Sequence, residues 1–261
     1  MVDFIVVIPA RYASTRLPGK PLRLIGGQPM IQRVHACAAA SGAREVIVAT
    51  DDQRVRAACV KFDAQALMTA TTHGSGSERI AEVVETRGIP AATVIVNLQG
   101  DEPLMPPALI GQVAAALAGR PAHAAATACT PIESGEELFD ANVVKVVRDH
   151  DGDALYFSRA PLPWHREAFT QGQPCLPASA VYRRHIGLYA YRAGSLQHYV
   201  RAPVCAIEEL ERLEQLRILF HGGRIHVADA CATPGPGVDT EADLERACAA
   251  FAAREAPLPG A

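Results

Sequence analysis

Phe4-Ile5-Val6-Val7-Ile8-Pro9-Ala10-Arg11-Tyr12-Ala13-Ser14-Thr15-Arg16-Leu17-Pro18-Gly19-Lys20-Pro21-Leu22 is the stretch on which the fold turns. Its first part, Phe4 to Ile8, is an unbroken apolar and largely β-branched run, the pattern of a strand buried on both faces. Its second part cannot be helix, because Pro9, Pro18, Gly19 and Pro21 interrupt it. That loop carries Arg11, Arg16 and Lys20, with Ser14, Thr15 and Gly19 between them. A central strand feeding a loop of fixed cations, hydroxyls and glycine suits a polyphosphate ligand. The same residues would also serve a solvated surface loop.

Outward from this stretch the strand–loop–helix unit repeats. Met30, Ile31, Val34, His35 and Cys37 run at helical spacing to Ser41-Gly42, a stop signal. Glu45–Thr50 reads as a strand, Asp51-Asp52 as the cap of a helix from Gln53 to Phe62, and Ala66–Met68 as a short strand. The loop Thr71–Arg79 opens a helix to Arg87, and Thr93–Asn97 is a further buried strand ending in Leu98-Gln99-Gly100-Asp101-Glu102-Pro103. This rhythm predicts a doubly wound, mostly parallel sheet, whose ligands bind at the carboxyl ends of the strands. The cationic, Ser/Gly and acidic loops all fall there.

Later elements are a helix over about 107–117, a strand over 124–129, a Ser134-x-x-Glu137 capping box, and strands 143–147 and 154–157 around an Asp149–Asp153 turn. Ser158 to Ala180 is proline-interrupted and without periodicity, which suggests a lid or an interface. A strand over 183–192, one helix over 207–220, a strand over 224–228 and a last helix opening at Thr240 complete the chain.

The 261 residues are 49% hydrophobic and 20% charged, which supports a full core and argues against disorder. A net charge of −3 gives no footprint for nucleic acid. Seven scattered Cys without a C-x-x-C motif point to a reducing, cytoplasmic setting, and no apolar run approaches the roughly 20 residues of a membrane helix.

Asp101, just past a buried strand, either caps the following helix or holds a hard cation such as Mg2+. Asp239, after Gly235-Pro236-Gly237-Val238, is either an N-cap or, if Thr240 takes that duty, a second metal carboxylate. His185 is either a satisfied strand histidine or a donor to a ligand. Glu214 and Gln215 either face solvent or read sugar hydroxyls, and Arg159 suits a sugar carboxylate.

The segments IPARYASTRLPGKPL (8–22), IVATDD (47–52), HGSGSER (73–79), VNLQGDEP (96–103), NVVKVV (142–147), LYFSRAPLPW (155–164), RHIGLYAYR (184–192), LEQLR (213–217) and PGVDT followed by DLER (236–246) together resemble the 3-deoxy-manno-octulosonate (KDO) cytidylyltransferase family. The distal set, from LYFSRAPLPW to LEQLR, separates this family from other nucleotidyltransferases. The resemblance implies a single Rossmann-like α/β nucleotidyltransferase domain with a nucleotide half to about residue 130 and a sugar-binding and dimerisation half over about 131–250. It implies Mg2+-dependent conversion of CTP and KDO to CMP-KDO and pyrophosphate, for lipopolysaccharide biosynthesis. It further implies a homodimer joined near Pro161-Pro163-Trp164, with neither nucleic acid nor membrane as a partner. The family's phosphate positions fall on Arg11 and Lys20, and its metal carboxylates on Asp101 and Asp239. Its cytosine-side positions fall on Ser75, Gly76, Arg79 and Gln99, and its sugar positions on Arg159, His185, Tyr189, Glu214 and Gln215. No motif covers Gln171–Tyr182 or the tail after Phe251. A cytidylyltransferase for another acid sugar, or a nucleotide sensor on the same fold, are the competing expectations.

Overall fold

The computed structural model describes residues 2–171, 176–177 and 181–255. Its strands are β1 (Phe4–Pro9), β2 (Leu24–Ile25), β3 (Gln28–Pro29), β4 (Glu45–Thr50), β5 (Gln65–Met68), β6 (Val94–Asn97), β7 (Ala125–Pro131), β8 (Lys145–Arg148), β9 (Ala154–Ser158), β10 (Arg183–Arg192) and β11 (Ile225–Asp229). Its α-helices are α1 (Met30–Ala39), α2 (Gln53–Val60), α3 (Gly76–Thr86), α4 (Pro107–Ala118), α5 (Gly135–Phe139), α6 (Ala193–Arg201), α7 (Ala206–Glu211), α8 (Gln215–Phe220) and α9 (Glu241–Glu255).

Among the described residues, one nine-stranded sheet runs in the order β11-β7-β10-β6-β1-β4-β5, with β8 and β9 joined to its side through β10. β1 lies between β4 and β6, parallel to both, and all six of its residues are buried. A strand with neighbours on both edges and helices on both faces needs apolar side chains at every position, hence the run from Phe4 to Ile8. β10 is antiparallel to both β6 and β7. Two apolar layers flank the sheet: Val6, Ile8, Val96 and Leu109 belong to one, and Ile5, Val7, Ile80 and Ile95 to the other.

This topology places the site. Parallel β1 and β6 end on the same side, at Pro9 and Asn97, so the loops beginning at Ala10 and Leu98 emerge together. They touch at Gly100, where an added Cβ would lie 2.8 Å from the Pro9 carbonyl oxygen. β10, running the other way, sets Tyr189 opposite Asn97, and its register against β7 shifts between Ile186 and Ala190. His185, Gly187 and Tyr189 thus line the cavity described below, at the ends of the parallel strands.

Three expectations need correction. The cationic loop is not wholly free of helix: Lys20–Leu22 form a 3-10 turn, with Gly19 at φ +66° before it and Pro21 in the first turn, where the missing N–H is harmless. The single helix expected over 207–220 is two, α7 and α8, because Arg212 adopts φ +53°. Leucines at 210, 213, 216 and 219 suggested one continuous apolar face, but Leu213 and Leu216 are buried while Leu210 is 83% exposed. Helix α6 was not expected; its nine residues include Gly194 and bury only Ala193, Leu196 and Tyr199. Of the proline-interrupted stretch, 172–175 and 178–180 lie outside the described residues, as do 256–261 of the tail.

Ile95, fully buried on the strand between β1 and β10, tests this framework. Ile95→Ala is expected to lower the unfolding free energy by roughly 3 kcal/mol, as buried aliphatic truncations do, while Leu210→Ala changes it by under about 0.5 kcal/mol. Urea denaturation of both variants checks this; equal effects would mean that the sheet's second face is not a packed core.

Candidate active site

The cationic loop is held in shape by its own residues. Leu17, 1% exposed, anchors it in the core, and the Leu17 amide donates to Ser14 Oγ at 3.2 Å. Tyr12 packs beneath the Arg54 guanidinium, 3.4 Å from the ring centroid, and Arg54 is in turn bound to Asp52, which caps α2. Lys20 Nζ then donates to Asp101 Oδ2 at 2.6 Å and to Asp239 Oδ1 at 2.8 Å. Burial works against the Lys20 charge, but the two carboxylates outweigh it and raise its pKa above 10.5. Arg16 reaches the other Asp239 oxygen at 3.1 Å. Arg11 is exposed and, among the described residues, has no ion-pair or hydrogen-bond partner.

Neither aspartate is a helix cap. α4 begins after Pro106 with no side-chain cap, well past Asp101. At α9 the reciprocal pair is Thr240 and Asp243: the Asp243 amide donates to Thr240 Oγ1 at 3.3 Å, and the Thr240 amide to Asp243 Oδ2 at 2.8 Å. Asp239 is therefore free to face Lys20. The glycines before it allow close approach: a Cβ on Gly235 would lie 2.6 Å from Leu104 Cβ, and one on Gly237 3.0 Å from Glu102 Oε1. The Val238 amide ties this loop to the Asp101 carbonyl at 2.9 Å. Burial, reinforced by the neighbouring Asp101 charge, pushes Glu102 up to about 8.

On the α3 side, Ser75 caps the helix through its hydroxyl. Gly76 sits where a Cβ would come within 3.2 Å of Pro9 and 3.5 Å of Gln99 Oε1. Arg79 lines the cavity but is 3% exposed, and its guanidinium is held by Asp51 Oδ2 at 2.7 Å, by Thr69 Oγ1 and by the Ala70 carbonyl. It braces the Thr69–Arg79 loop.

The distal residues converge on the same cavity, of about 790 Å³, lined by Arg11, Lys20, Ser75, Gly76, Arg79, Gln99, Asp101, His185, Tyr189, Glu214, Gln215 and Asp239. Glu214 Oε2 accepts from Ser77 Oγ at 3.0 Å and from Tyr199 Oη at 3.2 Å. Tyr189 lines the cavity, and its hydroxyl is buried with no hydrogen-bond partner among the described residues. Arg159 stands apart: it does not line the cavity, and its guanidinium donates to the carbonyls of Glu211 at 2.7 Å and Ala141 at 2.9 Å. Further lining residues that the sequence reading passed over are Asn97, Ser77, Arg184, Arg212 and Tyr191. Asn97, 2% exposed at the end of an otherwise apolar strand, was the most legible of them.

His185 packs edge-on to Phe157, 4.9 Å between centroids, and its Nε2 lies 3.0 Å from Thr127 Oγ1. Burial pushes its pKa from 6.5 down to about 3. The unfolded chain takes up this proton near pH 6.5 and the folded one only near 3, so the stability His185 contributes is complete above 6.5 and is lost as pH falls toward 3. Denaturation at a series of pH values should show a shallower loss below pH 6.5 in His185→Gln than in the parent; identical slopes would contradict a half-buried imidazole that stays neutral in the fold.

The family model described as cytidylyltransferase matches residues 5–225. A 3-deoxy-manno-octulosonate cytidylyltransferase of Pseudomonas fluorescens (strain Pf-5) is 58% identical over 243 residues, 93% of this chain and 96% of that protein. One from Nitrosococcus oceani is 54% identical over 94% of this chain and 95% of that protein. A solved structure described as CMP:2-keto-3-deoxy-manno-octonic acid synthetase complexed with CTP superposes with a TM-score of 0.87 at 42% identity, covering 97% of this chain and 99% of that one. A cytidylyltransferase from Leptospira borgpetersenii, 14% identical with a TM-score of 0.61 over 97% of this chain and 87% of that one, shares the fold. With fold, cavity and near full-length identity in agreement, the chain belongs to the 3-deoxy-manno-octulosonate cytidylyltransferase family.

Proposed function

We propose that this protein is a nucleotidyltransferase that activates KDO: CTP and KDO give CMP-KDO and pyrophosphate. The observation that carries the reading is the convergence of Asp101 and Asp239 on one ammonium, between a cationic loop and a polar distal wall. The anomeric hydroxyl oxygen of the sugar forms a bond to the α-phosphorus of CTP in line, and the bond to the bridging oxygen of pyrophosphate breaks. Such a reaction asks a protein mainly for positioning and charge neutralisation.

Two hard carboxylate oxygens on a common cation match what Mg2+ takes from a protein when phosphates supply the rest of its shell. Among the described residues no group of three or more His, Cys, Asp or Glu forms a self-sufficient metal cage. When bound by Asp101 and Asp239, Mg2+ supplies charge neutralisation at the α-phosphate and acidifies the attacking hydroxyl. Arg11 and Lys20 hold the triphosphate, while Ser75, Gly76 and Gln99 border the cytosine with Arg79 fixing that loop. Tyr189, His185, Glu214 and Gln215 face the sugar. His185 does so as a neutral imidazole, a donor or acceptor rather than a charge. Arg159 contributes by holding Glu211, and through it the turn that presents Glu214.

Residues up to about 130 form the nucleotide half and about 131–250 the sugar half of one domain. We assign the dimer contact to this distal half, where Leu155, Trp164, Val181, Val204 and Leu210 are all more than half exposed. No helix among the described residues is long and apolar enough to cross a membrane, and the six cysteines among those residues are free thiols, which fits a reducing cytoplasm.

Asp101→Asn and Asp239→Asn are each expected to keep the fold and to lower turnover by roughly a hundredfold or more, the scale of a lost preorganised electrostatic group. Near-parental turnover in either would remove the two-carboxylate model. In a panel of acid sugars and sugar phosphates with CTP, assayed by pyrophosphate release, KDO is expected to give the highest kcat/KM. Release with another sugar but not with KDO would overturn the substrate assignment, and tight CTP binding with no release for any sugar would favour a sensor.

A further inference from the structure

We infer that Lys20 is a resident counter-cation that keeps the divalent-metal position closed until a nucleotide draws it away, so that metal and nucleotide bind as a coupled pair. This rests on the two-carboxylate reading above and adds to it an order of events.

The geometry is specific. Lys20 Nζ lies 2.6 Å from Asp101 Oδ2 and 2.8 Å from Asp239 Oδ1, with its side chain only 14% exposed. Arg16 takes the remaining Asp239 oxygen at 3.1 Å. The two negative charges are therefore matched by two positive ones from the chain itself. A divalent ion seeking the same oxygens meets an ammonium already on them, and the two cations repel. Entry requires that Lys20 leave.

The backbone offers no easy way to withdraw it. Lys20 opens a 3-10 turn between Gly19 at φ +66° and Pro21, and the turn follows Leu17, which is fixed in the core. The flexible part is the four-carbon stem. Asp101, Lys20 and Arg11 line one cavity, so a triphosphate bound against Arg11 offers Lys20 Nζ new anionic acceptors without moving its backbone. The nucleotide then uncovers the carboxylates. By linkage, a metal site open for a fraction of the time binds with its intrinsic constant divided by that fraction; a latch closed nine times in ten weakens metal binding about tenfold. The coupling is reciprocal: metal also strengthens nucleotide binding.

Mn2+ serves as the probe, titrated into the full chain without nucleotide and read by the electron paramagnetic resonance signal of the free ion. Lys20→Met is expected to bind Mn2+ at least about tenfold more tightly than the parent, while Lys20→Arg, which keeps a cation there, stays near the parent. Equal Mn2+ affinities in parent and Lys20→Met would overturn the latch. Adding Asp239→Asn to Lys20→Met is expected to abolish the gain. A gain that survives it would overturn both the latch and the two-carboxylate site, whereas loss of the latch alone leaves the site reading standing. A measurement on the unaltered protein guards against a misfolded variant: CTP in the presence of a chelator should shift the Lys20 ammonium resonance in NMR. A resonance that moves only after metal is added would overturn the order.

Discussion

Asp101 and Asp239 sit on one ammonium, and much of the fold is arranged to make that arrangement tolerable. Two carboxylates brought together from distant parts of a chain repel unless a cation lies between them. Lys20 is that cation, and its position depends on β1. The strand is buried along its whole length, pairs with β4 and β6, and delivers its loop beside the loop that carries Asp101. Gly100 lets those loops touch, and Gly235 and Gly237 let the third strand of chain close over them. The Thr240–Asp243 pair caps α9, so Asp239 need not. A larger residue at Gly100 would press on the Pro9 carbonyl and so on the carboxylate spacing, whereas one at Gly235 would press on the core residue Leu104.

How legible this was depended on whether local physics decided the outcome. β1, β4 and β6 were readable because a strand buried on two faces has few alternatives to β-branched residues. The cationic loop was readable because three prolines and a glycine leave few backbone choices. Family motifs brought Asp101, Asp239 and the cavity-lining polar residues together in advance, although periodicity alone left each aspartate's role open. The break between α7 and α8 was not readable, because Arg212 at φ +53° obeys no propensity rule. It follows from tertiary demands: Glu208 and Arg217 lock across it, at 2.5 Å for the closer pair.

Arg79 and Arg159 illustrate a second limit. From sequence, both are cations available to an anionic ligand. In the fold both are bound elsewhere, Arg79 to Asp51 and to the Thr69–Ala70 stretch, Arg159 to two backbone carbonyls. A buried guanidinium needs most of its donors matched, and whichever acceptors the fold brings near will take them. Only three-dimensional neighbours separate a cation with no partner among the described residues, such as Arg11, from one that braces a loop.

The distal wall shows how such bracing reaches the chemistry. Tyr189, Tyr191 and Tyr199 form a stack, with 5.5 and 6.2 Å between successive centroids. One end of it, Tyr189 Oη, is buried without a partner among the described residues; the other, Tyr199 Oη, holds Glu214. Arg217, clamped by Glu208, lies over the Tyr199 ring at 5.2 Å. Glu214 is thus fixed from two sides, by Tyr199 and by Ser77 at the start of α3. Ser75 caps α3 and Gly76 opens it, and both line the cavity, so Glu214 is bonded directly to the helix that forms the opposite wall. The Ser77–Glu214 hydrogen bond therefore joins the two walls of the cavity, and any change in the spacing of the walls must break or carry it.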